Sequence, residues 1–546
     1  MEDLHLHKFV LDNVPRILSW IDRRQGSPTY GCSDRNYWHY KIVDFPCAML
    51  QETALTLALL STVNFKGNTY FRNVYIQELA KAQVKFWKKI QRNNGAFDEF
   101  FPNERSFSAT AFTLYSTCMT VKLLNLENNE FQESTHKACT FLINYGDPGA
   151  SNQVAAAIAA ITIYAELFSD YSFDNSVEEM LNRLLESQSP EGWTPEYGGF
   201  DVGYQSITVS YLSDYISRKP NNRLSDKLLK MIEFLALFIH PDGTAGGEYG
   251  SRNTSFLVPY GFVFNSNKSN TSSAVVNNLF ISADSQINTF IDDRYICHFI
   301  IPSYLLAIKF ISKNKIKFNE LPHEKLFSTV FKESGLWIES RPDFYFICNT
   351  KKQGVFKIYG KKGQGVLSNS GYNIEIDSRR LAVTNWINNN ASIINNKSGA
   401  QIKGSFFLVS NKLPNSFYHF TLRLLSYFFK KRLLPILKMY FILREKPIKG
   451  FFERSIKVSD KLIVVDDKIH YKSKKKVCLY NNEISSFRYV APSNYFQINE
   501  LSGYNPPNKI KHGVCKNIFI SQIINTRAFE VEKSCRDDKG KKIEIS

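Results

Sequence analysis

Apolar residues in the first 310 positions recur in long stretches rich in helix formers. The clearest are 50–62 (LQETALTLALLST) and 154–168 (VAAAIAAITIYAELF). The second stretch is rich in alanine and apolar nearly all round, so it lacks the polar face that a surface helix turns to water. We therefore predict a helical N-terminal part, with 154–168 as a fully buried inner helix.

Turn-forming loops separate the helical stretches at regular distances. They lie near positions 46–47, 94–95, 146–149, 191–192 and 242–243, about 45–52 residues apart. A repeat of that length accommodates one helical hairpin. We predict a multidomain α+β protein whose N-terminal part is an α/α toroid, an incomplete ring of helical hairpins with a cleft lined by the inner helices at one end.

Three of the loops share a local pattern: a glycine, a short spacer, then a glutamate and an aromatic residue. They read GAFDEF at 95–100, GWTPEY at 192–197 and GTAGGEY at 243–249. A ring would place all three on one rim, where carboxylates and aromatic rings can meet a glycan. Capping of the following helix is the simpler role for any single glutamate, but the recurrence favours a shared cleft.

The pattern changes beyond a polar, lysine-rich stretch at 312–325. Short runs such as 344–348 (FYFIC) and 355–359 (VFKIY) follow, with glycine and asparagine between them. Period-two alternation over short runs predicts a C-terminal antiparallel β-sandwich. The predicted organisation is a toroid at 1–311, a linker at 312–330 and a basic β-sandwich at 331–546.

One segment of the C-terminal half breaks this pattern. Residues 422–443 (LRLLSYFFKKRLLPILKMYFIL) contain five basic residues, no acidic residue and a proline at position 435. As a core element the segment would form a strand and a helix packed on the sheet, which is the usual fate of apolar runs in a large protein. The alternative is a peripheral contact with an anionic membrane surface.

Charge is unevenly distributed along the chain. The net charge is +17, but residues 1–330 carry 30 basic and 34 acidic residues, whereas residues 331–546 carry 38 and 17. The basic half favours polyanions. Since no nucleic-acid-binding motif is present, we expect an acidic polysaccharide as the partner and no nucleic acid. The sequence does not indicate an oligomeric state.

The cysteines and the N-terminus suggest a cellular location. Nine scattered cysteines, an odd number without a CxxC pair, favour free thiols over disulfides or a zinc site. The N-terminus has no basic and apolar signal sequence, and no stretch of 18 apolar residues predicts a membrane span. We expect a cytoplasmic protein, peripheral at the inner membrane if 422–443 binds lipid, with no cofactor and no metal.

Two stretches carry a family resemblance. Ser151-Asn152-Gln153-Val154 opens the alanine-rich helix, and a glycine-rich turn at 191–203 leads to Tyr204, 52 residues after Asn152. The chain resembles the heparinase II/III-like polysaccharide lyases, which have an Asn/His motif at the start of an inner toroid helix and a catalytic tyrosine about one hairpin later. The runs at 334–337 and 354–359 resemble the family's sandwich. A divergent bacterial member involved in surface-polysaccharide synthesis is implied.

The resemblance implies β-elimination on a uronate-containing, glycosaminoglycan-like polysaccharide. The C5 proton of a uronate becomes removable only when the neighbouring carboxylate is neutralised, which amides and arginine achieve by hydrogen bonding. Asn152 and Gln153 are the implied neutralisers, Arg252 a further carboxylate partner, and Tyr204 the base or acid. The predicted substrate-binding residues are Glu99, Trp193, Glu196, Tyr197, Asp201, Glu248, Tyr249 and Asn253.

The chain departs from the family pattern at its histidines. Gln153 occupies the position where a histidine is common, and the run at 357–362 supplies lysines and a tyrosine instead of a histidine. An amide neutralises charge but cannot carry a proton, so a binding role for Tyr204 is the alternative. His298, in an apolar helix, is predicted to be a core residue.

Three functions stay open on these residues. The first is a carbon–oxygen lyase acting on an acidic polysaccharide. The second is an inverting glycoside hydrolase, which needs two carboxylates about 6.5–9.5 Å apart. The third is a non-catalytic protein that binds a glycan or its carrier during capsule or lipopolysaccharide synthesis. A facing pair among Glu99, Glu196, Asp201 and Glu248 would favour hydrolysis, and an Asn/Tyr/Arg cluster without such a pair would favour elimination.

Overall fold

Helices form the N-terminal part of the structure and antiparallel strands form most of the rest. The computed structural model describes residues 5–127, 129–282, 287, 293–311, 319–377, 380–388, 392–396, 399–409, 413–439, 446–471, 477–481, 509–512 and 517–543. The first helices are α1 (His5–Trp20), α2 (Arg35–Trp38), α3 (Thr53–Thr62), α4 (Val74–Ile90), α5 (Phe107–Leu124), α6 (Asn129–Ile143), α7 (Ser151–Phe168), α8 (Asp174–Glu186), α9 (Val202–Arg218), α10 (Asn222–Ala236), α11 (Tyr260–Asn265), α12 (Asn270–Val275), α13 (Asp293–Tyr295) and α14 (Ile301–Ile311). A 3-10 turn at Ala48–Glu52 precedes α3, and π-helical turns occupy Val276–Ile281 and Ile296–Ile300.

The helices alternate between inner and outer positions. The inner helices α3, α5, α7 and α9 are buried nearly all round, whereas α4, α6, α8 and α10 bury one face and expose the other. Each inner helix contacts the outer helix that follows it. An inner helix is covered by its neighbours on every side, so its sequence has no need of a polar face. The alanine-rich helix α7 is buried as its sequence predicts.

Contacts among the inner helices form a closed series. They run from α3 to α5, α7, α9, α11 and α14, and α14 contacts α3 again. The sequence predicted an incomplete ring, so the return contact between α14 and α3 is a difference from that expectation. It arises because the C-terminal helix of this part packs beside the first inner helix.

Two of the repeated glycines act at equivalent places in successive hairpins. Gly95 and Gly192 both have a positive φ, of 87° and 104°. A side chain at Gly95 would collide with the Lys137 carbonyl of α6, and one at Gly192 with the Lys230 carbonyl of α10. Glycine is therefore required twice over, by backbone conformation and by close approach to an outer helix. The spacing of these glycines reflects this repeated contact.

The strands form antiparallel sheets. In chain order they are β1 (Phe327–Val330), β2 (Leu336–Ser340), β3 (Phe344–Asn349), β4 (Val355–Gly360), β5 (Val366–Asn369), β6 (Tyr372–Asp377), β7 (Arg380–Val383), β8 (Ser392–Asn396), β9 (Gly399–Gly404), β10 (Phe407–Val409), β11 (Phe451–Val458), β12 (Leu462–His470), β13 (Val477–Asn481), β14 (Lys509–His512), β15 (Asn517–Asn525) and β16 (Glu530–Asp537). The first sheet has the order β1-β2-β3-β4-β5, the second β10-β7-β6-β13-β14 and the third β16-β15-β12-β11-β9-β8.

The first sheet is buried on both faces. Ile338, Tyr345 and Ile347 point into the core of the helical part, while their neighbours Trp337 and Phe346 point into a core shared with the third sheet. Successive side chains of a strand alternate between faces, so residues 336–338 of β2 and 344–348 of β3 are apolar at every position. This sheet joins the helical part to the remaining strands.

A buried ion pair ties the three sheets together. Arg454 of β11 donates two hydrogen bonds of 2.7 Å to Asp467 of β12, and both side chains are fully buried. Arg454 also donates to the carbonyl of Gly354 in the β3–β4 turn, and Tyr372 of β6 donates to Asp467 at 2.7 Å. Because each charged group is fully hydrogen-bonded, the pair is tolerated in the core.

The predicted linker is partly structured. Residues 312–318 lie outside the described residues, whereas Pro322–Glu324 form a 3-10 turn and the edge strand β1 occupies Phe327–Val330. Strand β1 pairs with β2 in register Val330 to Trp337, so the end of the predicted linker belongs to the first sheet.

The apolar segment between β10 and β11 does not join a core. It forms α15 (Ser416–Phe429), a 3-10 turn at Lys430–Arg432 and α16 (Leu433–Lys438). Of α15, only Ser426 is buried. The prediction that this run forms a strand and a helix packed on the sheet is wrong for the described residues 422–439. Residues 440–443 of the predicted segment lie outside the described residues.

Among the residues that the structure describes, one helix has the length and apolar composition of a membrane span. This helix is α7, and 78% of it is buried inside the protein, where it contacts α5, α8 and α9. The sequence has no unbroken apolar run of this length, whereas the mean hydropathy of α7 is that of a membrane span. Its burial identifies it as a core helix.

Candidate active site

A cleft of about 620 Å³ opens where the inner helices α5, α7 and α9 begin. Their first turns supply Phe107, Asn152 and Tyr204 to its wall. Helix N-termini carry partial positive charge, so three of them at one cleft favour an anionic ligand. All four predicted catalytic residues, Asn152, Gln153, Tyr204 and Arg252, line this cleft.

Asn152 and Gln153 lie in the first turn of α7. The residue before the helix, Ala150, makes no side-chain cap, and Glu196 replaces it by accepting a 2.9 Å hydrogen bond from the Asn152 N–H. Gln153 donates from Nε2 to the Tyr197 hydroxyl at 3.2 Å. Asn152 is 1% exposed, and its Nδ2 has no hydrogen-bond partner among the described residues.

Tyr204 lies in the first turn of α9. Asp201 caps this helix by accepting from the Tyr204 N–H at 3.0 Å, and it also accepts from the Thr254 hydroxyl at 2.6 Å. The Tyr204 hydroxyl is 3.1 Å from the Tyr295 hydroxyl. Burial raises the pKa of Tyr204, while Arg252 and the Tyr295 hydroxyl act in the opposite direction. The phenol is therefore protonated in the unliganded site.

Arg252 connects the two tyrosines of the cleft. Its guanidinium lies 4.2 Å from the ring centroid of Tyr204 and 4.6 Å from that of Tyr197. Stacking on two rings fixes the plane of the guanidinium. Its Nε is buried without a hydrogen-bond partner among the described residues. The cleft thus holds a fixed cation with an unused donor.

The first sheet holds the loop that carries Arg252. The Lys352 ammonium, itself buried, donates to the Glu248 carbonyl at 2.7 Å, to the Gly250 carbonyl at 2.9 Å and to the Asn253 side chain. Three acceptors around one ammonium fix the loop on both sides of Arg252. The strands therefore contribute to the cleft by positioning a residue of the helical part.

Six predicted substrate-binding residues do not line the cleft, because they make structural contacts elsewhere in the protein. Glu196 and Asp201 are buried at the starts of α7 and α9. Trp193 donates to Glu191, and the Glu248 carboxylate accepts from Ser370 at 2.7 Å. The other two belong to the contact with the first sheet: Tyr249 is fully buried, 3.3 Å from the Tyr359 hydroxyl, and Asn253 accepts from Lys352.

Two predicted substrate-binding residues do line the cleft, Glu99 and Tyr197. The Glu99 carboxylate is paired with the Arg294 guanidinium. The three loops that share the sequence pattern therefore differ in where their glutamate lies, since only Glu99 of the first loop lines the cleft. For the glutamates of the other two loops, the simpler roles in capping and packing apply.

The sequence predicted neither His298 as a cleft residue nor its contact with Glu52. His298 is buried as predicted, but it also lines the cleft, and its Nδ1 lies against Oε1 of the buried Glu52. Burial lowers the pKa of His298, with Arg294 acting in the same direction, and burial raises the pKa of Glu52. Both groups are therefore neutral. The sequence signal for His298 as a cleft residue is its spacing of four residues from Arg294, which is compatible with one face of a helix.

Helix α16 covers one side of the cleft. Leu434, Leu437 and Lys438 line it. The Lys438 ammonium donates to the Tyr197 hydroxyl at 2.5 Å and lies 4.6 Å from the centre of that ring. The charged residues of the cleft wall sum to a positive charge, with Arg252, Arg294 and Lys438 against Glu99 and Asp147. Burial raises the pKa of nearby Glu196 to about 8.

Solved structures of two other proteins have the same arrangement of helices and strands. One is a xanthan lyase from Paenibacillus, at 10% identity and a TM-score of 0.54 over 97% of this chain and 54% of that one. The other is a chondroitin AC lyase from Streptomyces coelicolor A3 in complex with chondroitin sulphate, at 8% identity and a TM-score of 0.54 over 97% of this chain and 76% of that one. The chain has a polysaccharide-lyase fold.

The structural likeness confirms the lyase fold that the sequence predicted by resemblance. No family model matches the chain, and no curated protein sequence matches it significantly. The chain spans about half the length of the Paenibacillus xanthan lyase. At 8–10% identity the likeness establishes the fold, and the activity has to be argued from the cleft.

Proposed function

We propose that this protein is a polysaccharide lyase that cleaves a uronate-containing polysaccharide by β-elimination. In this proposal the closed series of helices is an α/α toroid, the packed sheets are a β-sandwich, and the cleft at the starts of α5, α7 and α9 is the active site. The observation that carries the proposal is the convergence of Asn152, Tyr204 and Arg252, with two unpartnered donors, in one electropositive cleft.

The unpartnered donors suit a carboxylate. Buried polar groups are nearly always hydrogen-bonded, so an unused Asn152 Nδ2 and an unused Arg252 Nε in one cleft call for a ligand. A uronate carboxylate offers two acceptor oxygens and a negative charge. Hydrogen bonds from an amide and a guanidinium would neutralise it and stabilise the charge that develops when C5 loses its proton.

Two proton transfers complete the reaction. The C5–H bond breaks, its electrons form the C4–C5 double bond, and the C4–O4 bond breaks with its electrons going to O4. The neutral imidazole of His298 is the group available to accept the C5 proton. Tyr204, protonated at rest and stacked on Arg252, is the group available to give a proton to O4. The Tyr204 and Tyr295 hydroxyls, 3.1 Å apart, are positioned to share that proton.

The fate of the carboxylates favours elimination over hydrolysis. Of the four candidates for a hydrolytic pair, only Glu99 lines the cleft, and it is paired with Arg294. Glu196 and Asp201 cap helices, and Glu248 is bonded to Ser370. An inverting hydrolase needs an acid and a base that face each other across the sugar.

A non-catalytic glycan-binding protein is the second candidate. The raised pKa of Tyr204 favours it, because a buried phenol that stays protonated can act as a hydrogen-bond donor to a sugar without transferring its proton. The same cleft and the same carboxylate contacts would then serve binding alone.

Ultraviolet absorbance distinguishes these functions. The full chain is incubated with acidic polysaccharides, including xanthan and chondroitin sulphate, and absorbance is followed in the band of unsaturated uronates. We expect wild type to give a rise, and Tyr204→Phe to slow it at least about 100-fold because the proton donor is lost. Asn152→Ala and Arg252→Ala are expected to weaken turnover through loss of carboxylate neutralisation.

Tyr345→Phe is the matched control. Tyr345 is equally buried and donates one hydrogen bond, to the Leu237 carbonyl, but it lies outside the cleft. It should retain wild-type turnover. New reducing ends without an absorbance rise would instead establish hydrolysis. Binding without either product would establish the non-catalytic function and refute the lyase proposal.

A further inference from the structure

Helix α15 presents a row of apolar side chains to solvent. Phe417 is 75% exposed, Phe420 65%, Leu424 49%, Tyr427 65% and Phe428 68%. Scattered single apolar residues are normal on a protein surface, but a contiguous group of this size usually marks a binding surface.

The spacing of these residues places them on one face of the helix. The first four follow one another at intervals of three or four positions, and Phe428 lies four positions after Leu424, the repeat that aligns side chains along an α-helix. The less exposed residues Leu422, Leu425 and Ser426 lie on the other side, toward the protein. Helix α15 therefore differs from an ordinary surface helix, because its larger apolar face points toward solvent and away from the core.

A basic turn adjoins the apolar face. Lys430, Lys431 and Arg432 follow α15 directly, and the stretch 413–439 contains no acidic residue. Lys430 and Arg432 are exposed, while Lys431 donates to the Asn144 carbonyl. Aromatic and aliphatic residues next to exposed cations match the interface of an anionic bilayer, with an apolar interior and a charged surface.

Helix α15 and the basic turn contact the helical part of the protein. Arg423 pairs with Asp44 of the helical part, and Lys431 lies 5.4 Å from the ring centroid of Tyr145. Helix α16 continues from the basic turn into the wall of the cleft. A surface bound to α15 would therefore lie at a defined place beside the cleft.

We propose that α15 and the basic turn 430–432 bind the surface of an anionic lipid bilayer, with the exposed aromatic face inserted at the level of the headgroups. A second copy of this chain is a poorer occupant. Pairing two such faces would bring two basic turns together with no acidic residue in 413–439 to compensate. The proposal concerns location and is independent of the reaction in the cleft.

Co-sedimentation of the full chain with vesicles tests the proposal. One set of vesicles contains phosphatidylcholine with about a third phosphatidylglycerol, and the other contains phosphatidylcholine alone. Wild type should bind the anionic set and weaken as salt rises. The triple variant Phe417→Ser, Phe420→Ser, Phe428→Ser should lose detectable binding. Replacing Lys430, Lys431 and Arg432 with Gln should weaken it on the order of 100-fold, at about fivefold per charge.

Matched variants elsewhere on the chain control for composition. Ile42→Ser, Tyr75→Ser and Tyr171→Ser remove three exposed apolar side chains from the helical part. Lys539→Gln, Lys541→Gln and Lys542→Gln remove three exposed cations from the C-terminal end. Both controls should bind vesicles like wild type, and all variants should keep the wild-type melting temperature within a few degrees.

Several outcomes would overturn the proposal. They are absence of vesicle binding by wild type, equal binding to neutral vesicles at all salt concentrations, and equal losses in the control variants. A dimer of wild type that the Phe417/Phe420/Phe428 variant abolishes would assign the face to self-association. Binding of a soluble anionic polysaccharide that depends on α15, with no vesicle binding, would assign it to glycan.

Discussion

Helices α7 and α15 are both strongly apolar, yet they lie in opposite environments. Every residue of α7 from Ala155 to Ile161 is at most 1% exposed, whereas α15 buries only Ser426. Inner helices pack against α7 on both sides, and α8 covers it. Apolar composition alone therefore does not specify burial; the neighbours do. The comparison separates a helix that stabilises the fold from one that is available for binding.

An aspartate introduced into each of the two helices should give the largest contrast in stability. Ile158→Asp places a carboxylate where the side chain is fully buried, and we expect a loss of more than about 4 kcal/mol in the free energy of unfolding, because no partner is available for the charge. Leu424→Asp on α15 should change the same quantity by about 0.5 kcal/mol or less. Urea denaturation measures both. Similar losses in the two variants would show that α15 is packed as tightly as α7.

Ion pairs extend the comparison from apolar residues to charges. Asp467→Ala leaves the buried Arg454 unpaired and should cost about 3–5 kcal/mol of stability. Asp44→Ala removes the exposed partner of Arg423 and should cost about 1 kcal/mol at most. Thermal denaturation at low and high salt provides the check, since only the exposed pair should depend on salt. A large loss of stability in Asp44→Ala would mean that the packing of α15 on the helical part stabilises the fold.

The buried carboxyl of Glu196 gives the most specific effect, a dependence of stability on pH. Its pKa is about 8 in the folded state because burial penalises the charged form, and about 4.5 is the ordinary value. The folded protein holds this proton while the unfolded chain releases it, so stability is full below pH 4.5 and falls as the pH rises through 8. Between pH 5 and 9 the loss should reach at most about 4 kcal/mol.

Glu196→Gln isolates that dependence. An amide of the same shape can accept from the Asn152 N–H without titrating. The difference in unfolding free energy between variant and wild type should therefore grow in favour of the variant from pH 5 to pH 9, measured by urea denaturation at each pH. A constant difference would place the pKa of Glu196 near its ordinary value.

Much of the architecture follows from local pattern. The loop spacing predicted the hairpins, and alternation predicted the strands, including the runs at 344–348 and 355–359. Asn152 and Tyr204, which the family resemblance singled out, line one cleft because each lies in the first turn of an inner helix, and equivalent ends of successive inner helices meet there. Residues at equivalent positions of a structural repeat are therefore expected to lie close together in space, whereas an isolated motif carries no such information.

Other features depended on long-range packing. Glu248 and Tyr249 carry the same pattern as Glu99, but the first sheet lies against their loop and uses both. His298 reaches the cleft because α14 returns to α3 and brings the preceding turn beside Glu52. No local signal encodes either contact.

The sequence by itself determined the helical hairpins, the strands and the charge of the C-terminal half, and the family resemblance predicted Asn152, Gln153, Tyr204 and Arg252, which line one cleft. Only the tertiary structure decided which carboxylates reach the cleft, that Lys352 positions the loop of Arg252, and that α15 faces solvent. The physical reason is range. Periodicity and turn chemistry act among consecutive residues, whereas burial, shared protons and unpartnered donors are set by segments that are distant in the chain and adjacent in space.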